Sequence, residues 1–378
     1  MTTERNRNPY AGINWEKCFQ VSGCTHMHCT SAEILKQYLD QGLGFATLSN
    51  YYPSAPWYPL AELRENFFKV SQTGYVRGDE WRKDPLDINA AIAGWQDQLA
   101  PEEQAQLPFR EGKELFPDLP ENLLEAPNAE HHWFSDAGIW LHIASPGCTL
   151  ASGTFDINGK FGMERYGNIR LGAPVLWREG FRKLLDSAIV PDGGGLVINH
   201  PTWSHLPVDF LCEMLDFDPR VLGIEIYNHD SRGDFSDFSD TLWDAVLSTG
   251  RQCFGFCVQD HPTPDRKWLG RIVLLPEEHT AGSCLKAMRQ GRFYGAISGN
   301  GLRFEYLDFD GRTLRARCNR KAVFQLVSKT GVIGDNVSGT EFSYTVPENE
   351  RSRHVYLRLT AREGREEEKL FAQPFMLD

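Results

Sequence analysis

The stretch CFQVSGCTHMH, residues 18–28, combines a short β-type run with two histidines, His26 and His28, spaced at i and i+2 immediately after it. On an extended backbone, side chains two apart point the same way, so this spacing lets both imidazoles reach one ion. A strand that ends on metal-ligand residues is the pattern of an α/β protein whose site lies at the ends of its strands. Further β-type runs, rich in Val, Ile, Leu, Phe or Tyr, fall at Gly44–Leu48, Trp140–Ala144, Gly195–Asn199, Gly223–Tyr227, Cys253–Val258 and Phe293–Ile297. Helical segments separate several of them. Ser31–Gln41 stops at Gly42, and Val175–Ser187 carries the amphipathic run LWREGFRKLL. Alternation of this kind predicts a parallel sheet with crossover helices, and seven candidate strands approach a full barrel.

Ligand-type residues recur near other predicted strands: His142 in WLHIAS, His200 in GGLVINHP, and Asp260 with His261 in CVQDHP. In a parallel barrel these ends converge on one face. Glu130, in APNAEHHWF, offers a carboxylate able to bridge two cations, although His131 or His132 beside it is also a candidate. Glu225, inside GIEIYN, reads as a structural hydrogen-bond or salt-bridge partner. His205, His229 and His279 read as ordinary polar residues.

The 378 residues suit a barrel plus a small appendage, with 41% hydrophobic and 24% charged residues, as in a globular protein. A formal net charge of −12 disfavours long contacts with nucleic acid, whose affinity comes from Lys and Arg displacing counterions, and favours a small substrate. The opening MTTERNRNPYAG lacks an apolar signal core, and no run reaches the roughly 18 apolar residues of a membrane helix, so a cytoplasmic protein with no membrane association is expected. Nine scattered cysteines without CxxC pairs point to reduced, mostly buried thiols; Cys24 and Cys29 flank the His26/His28 pair.

Residues 51–130 form a long insertion rich in aromatics and proline (YYPSAPWYPL, EWRKDPLDINAAIAGWQDQL, LFPDLPENLLEAPN), which predicts a partly helical lid or cover. After Gly301 the pattern turns to short alternating strands, as in LRFEYLDFDGRTLRARC, which predicts a small antiparallel, sandwich-like β-domain over 301–378 beside a barrel over 14–300.

The His26/His28 pair, GLGFATLSN, GGLVINHPTW, GIEIYNH, LWDAVLSTGRQCFGFCVQD and KAMRQGRFYGAISG resemble, in order, the PHP (polymerase and histidinol phosphatase) family, and the tail VYLRLTAREGREEEKLFAQPFML resembles the β-domain of some members. The resemblance implies a distorted (β/α)7 TIM-like barrel and a metal-dependent phosphoesterase using zinc, manganese or iron. It implies one ion on His26, His28, Glu130 and Asp260, and a second on Glu130, His142 and His200. The family's usual Asp-His pair after the second strand is replaced by Ser49-Asn50, and its late Asp-x-His reads Asp260-His261-Pro262. Nor does a third histidine follow near Cys29–Glu33. These departures all fall on a third ion, so two divalent ions are expected, with Asn50 and Tyr51 beside the substrate and His261, with Asp260, in proton transfer. The expected reaction is hydrolysis of a small phosphate ester. Amide or lactone hydrolysis on the same site, or a metal-binding sensor or accessory protein without turnover, are the alternatives.

Overall fold

The computed structural model describes residues 8–28, 32–49, 123–148, 176–230, 238–263, 265, 267–299, 301–363 and 366–377. Asn50, Tyr51 and most of the expected 51–130 insertion lie outside them. In chain order the first elements are β1 (Val21–Cys24), α1 (Ala32–Asp40), β2 (Phe45–Ala46), β3 (Leu124–Glu125), β4 (Glu130–Phe134) and β5 (Trp140–Ala144). Next come α2 (Trp177–Asp186), β6 (Leu196–Ile198), α3 (Val208–Phe217), β7 (Val221–Asn228), α4 (Asp240–Ser248) and β8 (Phe254–Val258). Then follow β9 (Gly270–Leu274), α5 (Ala281–Gln290) and β10 (Phe293–Ile297), and the chain closes with β11 (Phe304–Phe309), β12 (Thr313–Ser328), β13 (Gly331–Thr345), β14 (His354–Glu363), β15 (Glu366–Ala372) and β16 (Phe375–Met376).

The protein is mixed α/β, and the described strands form two sheets. One has the order β4-β5-β6-β7-β8; the other runs β11-β12-β14-β15-β10-β9-β1-β2-β3, with β13 on β12 and β16 on β14. Among the described strands, parallel ladders run through β1-β2-β3 and β6-β7-β8. The expected distorted (β/α)7 TIM-like barrel is not seen among the described residues, where antiparallel pairs interrupt the parallel ones and neither sheet closes on itself. The reason is local. Ser135 to Ile139 form a tight turn, closed by Ser135 N to Ile139 O at 2.9 Å, and a connection that short can only return the chain antiparallel. Likewise β9, a GRIVL run absent from the sequence-based strands, lies antiparallel between β1 and β10.

Where the chain is parallel, the residues explain it. All eight positions of β7 and all five of β8 are buried, as in strands covered on both faces. Helix α2 turns Trp177, Gly180, Phe181, Leu184 and Leu185 inward at i, i+3, i+4, i+7 and i+8, the spacing of one helical face. Gly180 sits there because Trp133 fills the space: a Cβ at 180 would lie 2.5 Å from the indole. Helix α5 starts at Thr280, whose side chain accepts from the Ser283 amide, and stops at Gly291, which takes φ 73° as a left-handed cap.

The strands from β11 onward pack in an apolar cluster that includes Phe304, Leu314, Phe324, Leu357 and Phe375 and also takes in Tyr10, Val273 of β9 and Tyr294 of β10. They also continue the first sheet, because Tyr294–Ile297 of β10 pair with Lys369–Ala372 of β15. Tyr10 fastens the N-terminal segment here, donating to Phe293 O at 2.7 Å and accepting from the Gln373 amide at 2.7 Å. None of the helices among the described residues is long and apolar enough to cross a membrane.

Candidate metal centre

The two sheets meet at one end, where short backbone links replace ladders. Met27 and Asp260 form a parallel bridge, with His28 N to Asp260 O at 2.9 Å and Asp260 N to His26 O at 2.8 Å. Ser49 N reaches Met27 O at 3.0 Å, and Glu130 N reaches Ser49 O at 3.0 Å. These links draw the segments after β1, β2 and β8 and the first residue of β4 into one cluster. Its side chains are buried: His26, His28, Glu130, His142, His200, Glu225 and Asp260 are each at most 7% exposed.

Four atoms converge: His26 Nε2, His28 Nε2, Glu130 Oε2 and Asp260 Oδ1. Five of the six separations among them are 3.2 Å (His26–His28), 3.4 Å (His26–Glu130), 3.3 Å (His26–Asp260), 3.2 Å (His28–Glu130) and 3.4 Å (His28–Asp260). The edge of a ligand tetrahedron is about 1.6 times the ion–ligand distance, so these edges correspond to about 2.0 Å, the length of bonds from zinc to histidine nitrogen or carboxylate oxygen. The residues fit a cation. A second group shares Glu130 through its other oxygen: Oε1 lies 2.8 Å from His142 Nδ1 and 3.3 Å from His200 Nε2. Glu130 thus faces both groups, as a bridging carboxylate would.

Electrostatics point the same way. Burial alone would depress the His26 imidazole, but Asp260, Glu130 and Glu225 outweigh it and hold its pKa well above the ordinary value. Burial likewise works to raise Glu130 and Asp260, yet the surrounding imidazoles, His26 first, keep both well below the usual carboxylate range. His28 and His200 are raised by carboxylate partners against the effect of burial. In His142 burial prevails over Glu130 and pushes the pKa down to about 4. Glu130 and Asp260, held ionised in a buried cluster, require compensating positive charge, which the raised imidazoles of His26, His28 and His200 supply in the metal-free chain.

Two residues of the cluster sit on left-handed backbone, His200 at φ 23° and Asp260 at φ 61°. For residues other than glycine this conformation costs roughly 1–3 kcal/mol and is found where surrounding bonds hold it. Here the His200 amide donates to Glu225 Oε2 at 2.6 Å and the Asp260 amide to His26 O.

The other sequence candidates are sorted by their surroundings. His131 points away, its Nε2 3.0 Å from Ser145 Oγ and its ring stacked on Trp133. Glu130, rather than His131, faces the cluster. His261 is at the margin, half-exposed, stacked on His28 at 4.3 Å with its Nε2 3.7 Å from Asp260 Oδ1; desolvation and His28 push its pKa down to about 4. The Cys24 thiol donates to His26 O and is pushed up to about 12 by burial, so it stays a neutral packing group. Cys29 lies outside the described residues. The eight described cysteines are all free thiols.

Glu225 is the structural partner its place in a strand suggested, accepting from His26 Nδ1 at 2.7 Å. Sequence reading missed Asn199 and Asn228. Asn199 Nδ2 reaches Glu130 Oε1 at 3.1 Å, and Asn228 Nδ2 reaches Glu225 Oε2 at 2.8 Å and Asp260 Oδ2 at 2.9 Å. The signal available for Asn199 was its place directly before His200.

No family model matches the chain, and no curated protein matches it significantly. Among solved structures it is similar to a two-domain protein containing predicted PHP-like metal-dependent phosphoesterase from Bacteroides vulgatus ATCC 8482, at 10% identity over 92% of this chain and 91% of that one, with a TM-score of 0.42. A likeness that distant carries no argument about chemistry, which rests on the geometry of the cluster itself.

Proposed function

We propose that this chain is a metal-dependent phosphoesterase that hydrolyses a small phosphate ester at two divalent ions, of zinc, manganese or iron, in the cytoplasm. The observation that carries the reading is the four-atom cage of His26, His28, Glu130 and Asp260, with edges of 3.2–3.4 Å and a neighbouring group that shares Glu130. His26, His28, Glu130 and Asp260 would hold one ion, and Glu130, His142 and His200 the other. Bound there, two divalent ions supply Lewis acidity toward a phosphoryl group and lower the pKa of an attacking water.

The protein's own residues do the rest. Glu225 accepts a hydrogen bond from His26 Nδ1–H and so turns the Nε2 lone pair inward; Asn228 steadies Glu225 and Asp260 together. His261, half-exposed beside His28, is the residue we assign to moving a proton at the leaving-group oxygen through Nε2, and Asn50 and Tyr51 are assigned to the substrate side. In this reading residues 14–300 form the catalytic unit and the strands of 301–378 its support.

Elemental analysis with turnover of p-nitrophenyl phosphate in added manganese tests the proposal. About two ions per chain with phosphatase activity is expected. Fewer than one ion and no turnover refutes it; two ions with amidase but no phosphatase activity moves the chemistry to acyl transfer, and two ions with no turnover on either substrate to a metal-binding sensor.

A further inference from the structure

Beside the second ligand group stand two tryptophans unlike the buried core indoles of Trp133, Trp177, Trp243 and Trp268. Trp140 and Trp203 are both partly exposed. Trp140 is two residues before His142 on β5, so both side chains leave the same face of the strand. Trp203 lies in the turn after His200, which is held by Ser204 N to His200 O at 3.0 Å and Leu206 N to Pro201 O at 2.9 Å. The rings form a connected group. Trp140 is 4.3 Å from His142 at 71°, and Trp203 is 5.0 Å from His200 at 76° and 5.5 Å from His142 at 62°. The two indoles meet at 5.7 Å and 56°.

We infer that Trp140 and Trp203 form the subsite for the organic half of the substrate, and that this half is a flat aromatic or heteroaromatic ring. The inference rests on the metal-centre reading above and adds the substrate class. The cage of His26, His28, Glu130 and Asp260 is polar and suited to an ion and an anionic head. The wall against His142 and His200 is apolar and aromatic, and it is fixed in place by a strand and by a hydrogen-bonded turn. Partly exposed indoles set at steep angles to one another present ring surface that a planar group covers by stacking or edge contact, a gain beyond area burial. An ester with an aliphatic remainder would gain only the area term.

Hydroxamates anchor on metal through the same two oxygens whatever bond the enzyme cleaves, so they test the wall separately from the reaction. Manganese-loaded protein is titrated calorimetrically with benzohydroxamate, cyclohexanecarbohydroxamate and acetohydroxamate. The expected result is benzohydroxamate binding at least about tenfold more tightly than the other two, with Trp203→Ala bringing the ratio close to one at unchanged metal content and Trp203→Phe keeping part of it. Three results overturn the inference: equal affinities in the native protein, a cyclohexyl ring preferred as strongly as phenyl, or Trp203→Ala weakening all three ligands equally, which would make the indole a support for His200. Failure to take up manganese overturns it too. Absence of phosphatase activity, with the aryl preference intact, refutes the phosphoester reading alone.

Discussion

Glu225 Oε1 lies 2.7 Å from His26 Nδ1, both side chains fully buried, and the other carboxylate oxygen accepts from the His200 amide at 2.6 Å. One residue without a place in either candidate ligand group thus orients a histidine of each. This relation fixes the His26 tautomer, because the Nδ1 proton is committed to Glu225 and only Nε2 is left to face the cage.

Replacing Glu225 by Gln should therefore keep the shape and lose the charge. Metal affinity should fall about 10- to 100-fold, the usual effect of removing an outer partner of a ligating histidine, with little change in secondary structure. Competition with a chromophoric chelator measures it; affinity equal to the native protein would remove Glu225 from the centre.

Removal of His200 should separate the two groups. His200→Ala takes a member from the Glu130/His142/His200 set and leaves the His26/His28/Glu130 set whole, so bound metal should drop from about two ions per chain to about one by elemental analysis. Glu130→Ala, which touches both sets, should leave less than one.

Protons and metal compete for the same nitrogens. His26, His28 and His200 have raised pKa values in the metal-free chain, so each must shed its proton to ligate, and metal affinity should rise with pH. The stability signs follow. Raised histidines stabilise the metal-free fold below the unfolded pKa of about 6.5, and that contribution is lost as pH climbs through their folded values. His142 and His261, lowered to about 4, act on the other side: the unfolded chain takes up their protons first, so stability falls between about 6.5 and 4 as pH drops. Glu130 and Asp260, depressed, add a further loss at still lower pH. Thermal melts at pH 7 and 9 should show the metal-free chain losing Tm with rising pH and the metal-loaded chain holding it, because ions replace the departing protons.

Gly180→Ala tests the packing beneath the centre. The added methyl meets Trp133, which is 0% exposed and cannot retreat into solvent, so destabilisation of about 1–3 kcal/mol is expected in denaturant titration. An unchanged midpoint would mean that α2 slides freely on β4.

The sequence by itself determined a good deal. The i, i+2 spacing of His26 and His28 is a local property of extended chain, and runs such as Trp140–Ala144 and Phe293–Ile297 declare strands through composition alone, with bounds that coincide with β5 and β10. Tertiary structure decided three things. Strand direction was one: a turn of five residues makes β4-β5 antiparallel, and the short GRIVL run finds its place only between β1 and β10. The choice of Glu130 over His131 was another, because alternate residues of β4 face opposite sides and only packing tells which side holds the cluster. The third is the pairing of Glu225 with Asn228. A spacing of three along a regular strand puts two side chains on opposite faces, and a register shift between Glu225 and Tyr227 brings these two together. Such a shift arises from pairing with the neighbouring strand, so no pattern in the residues of β7 alone encodes it.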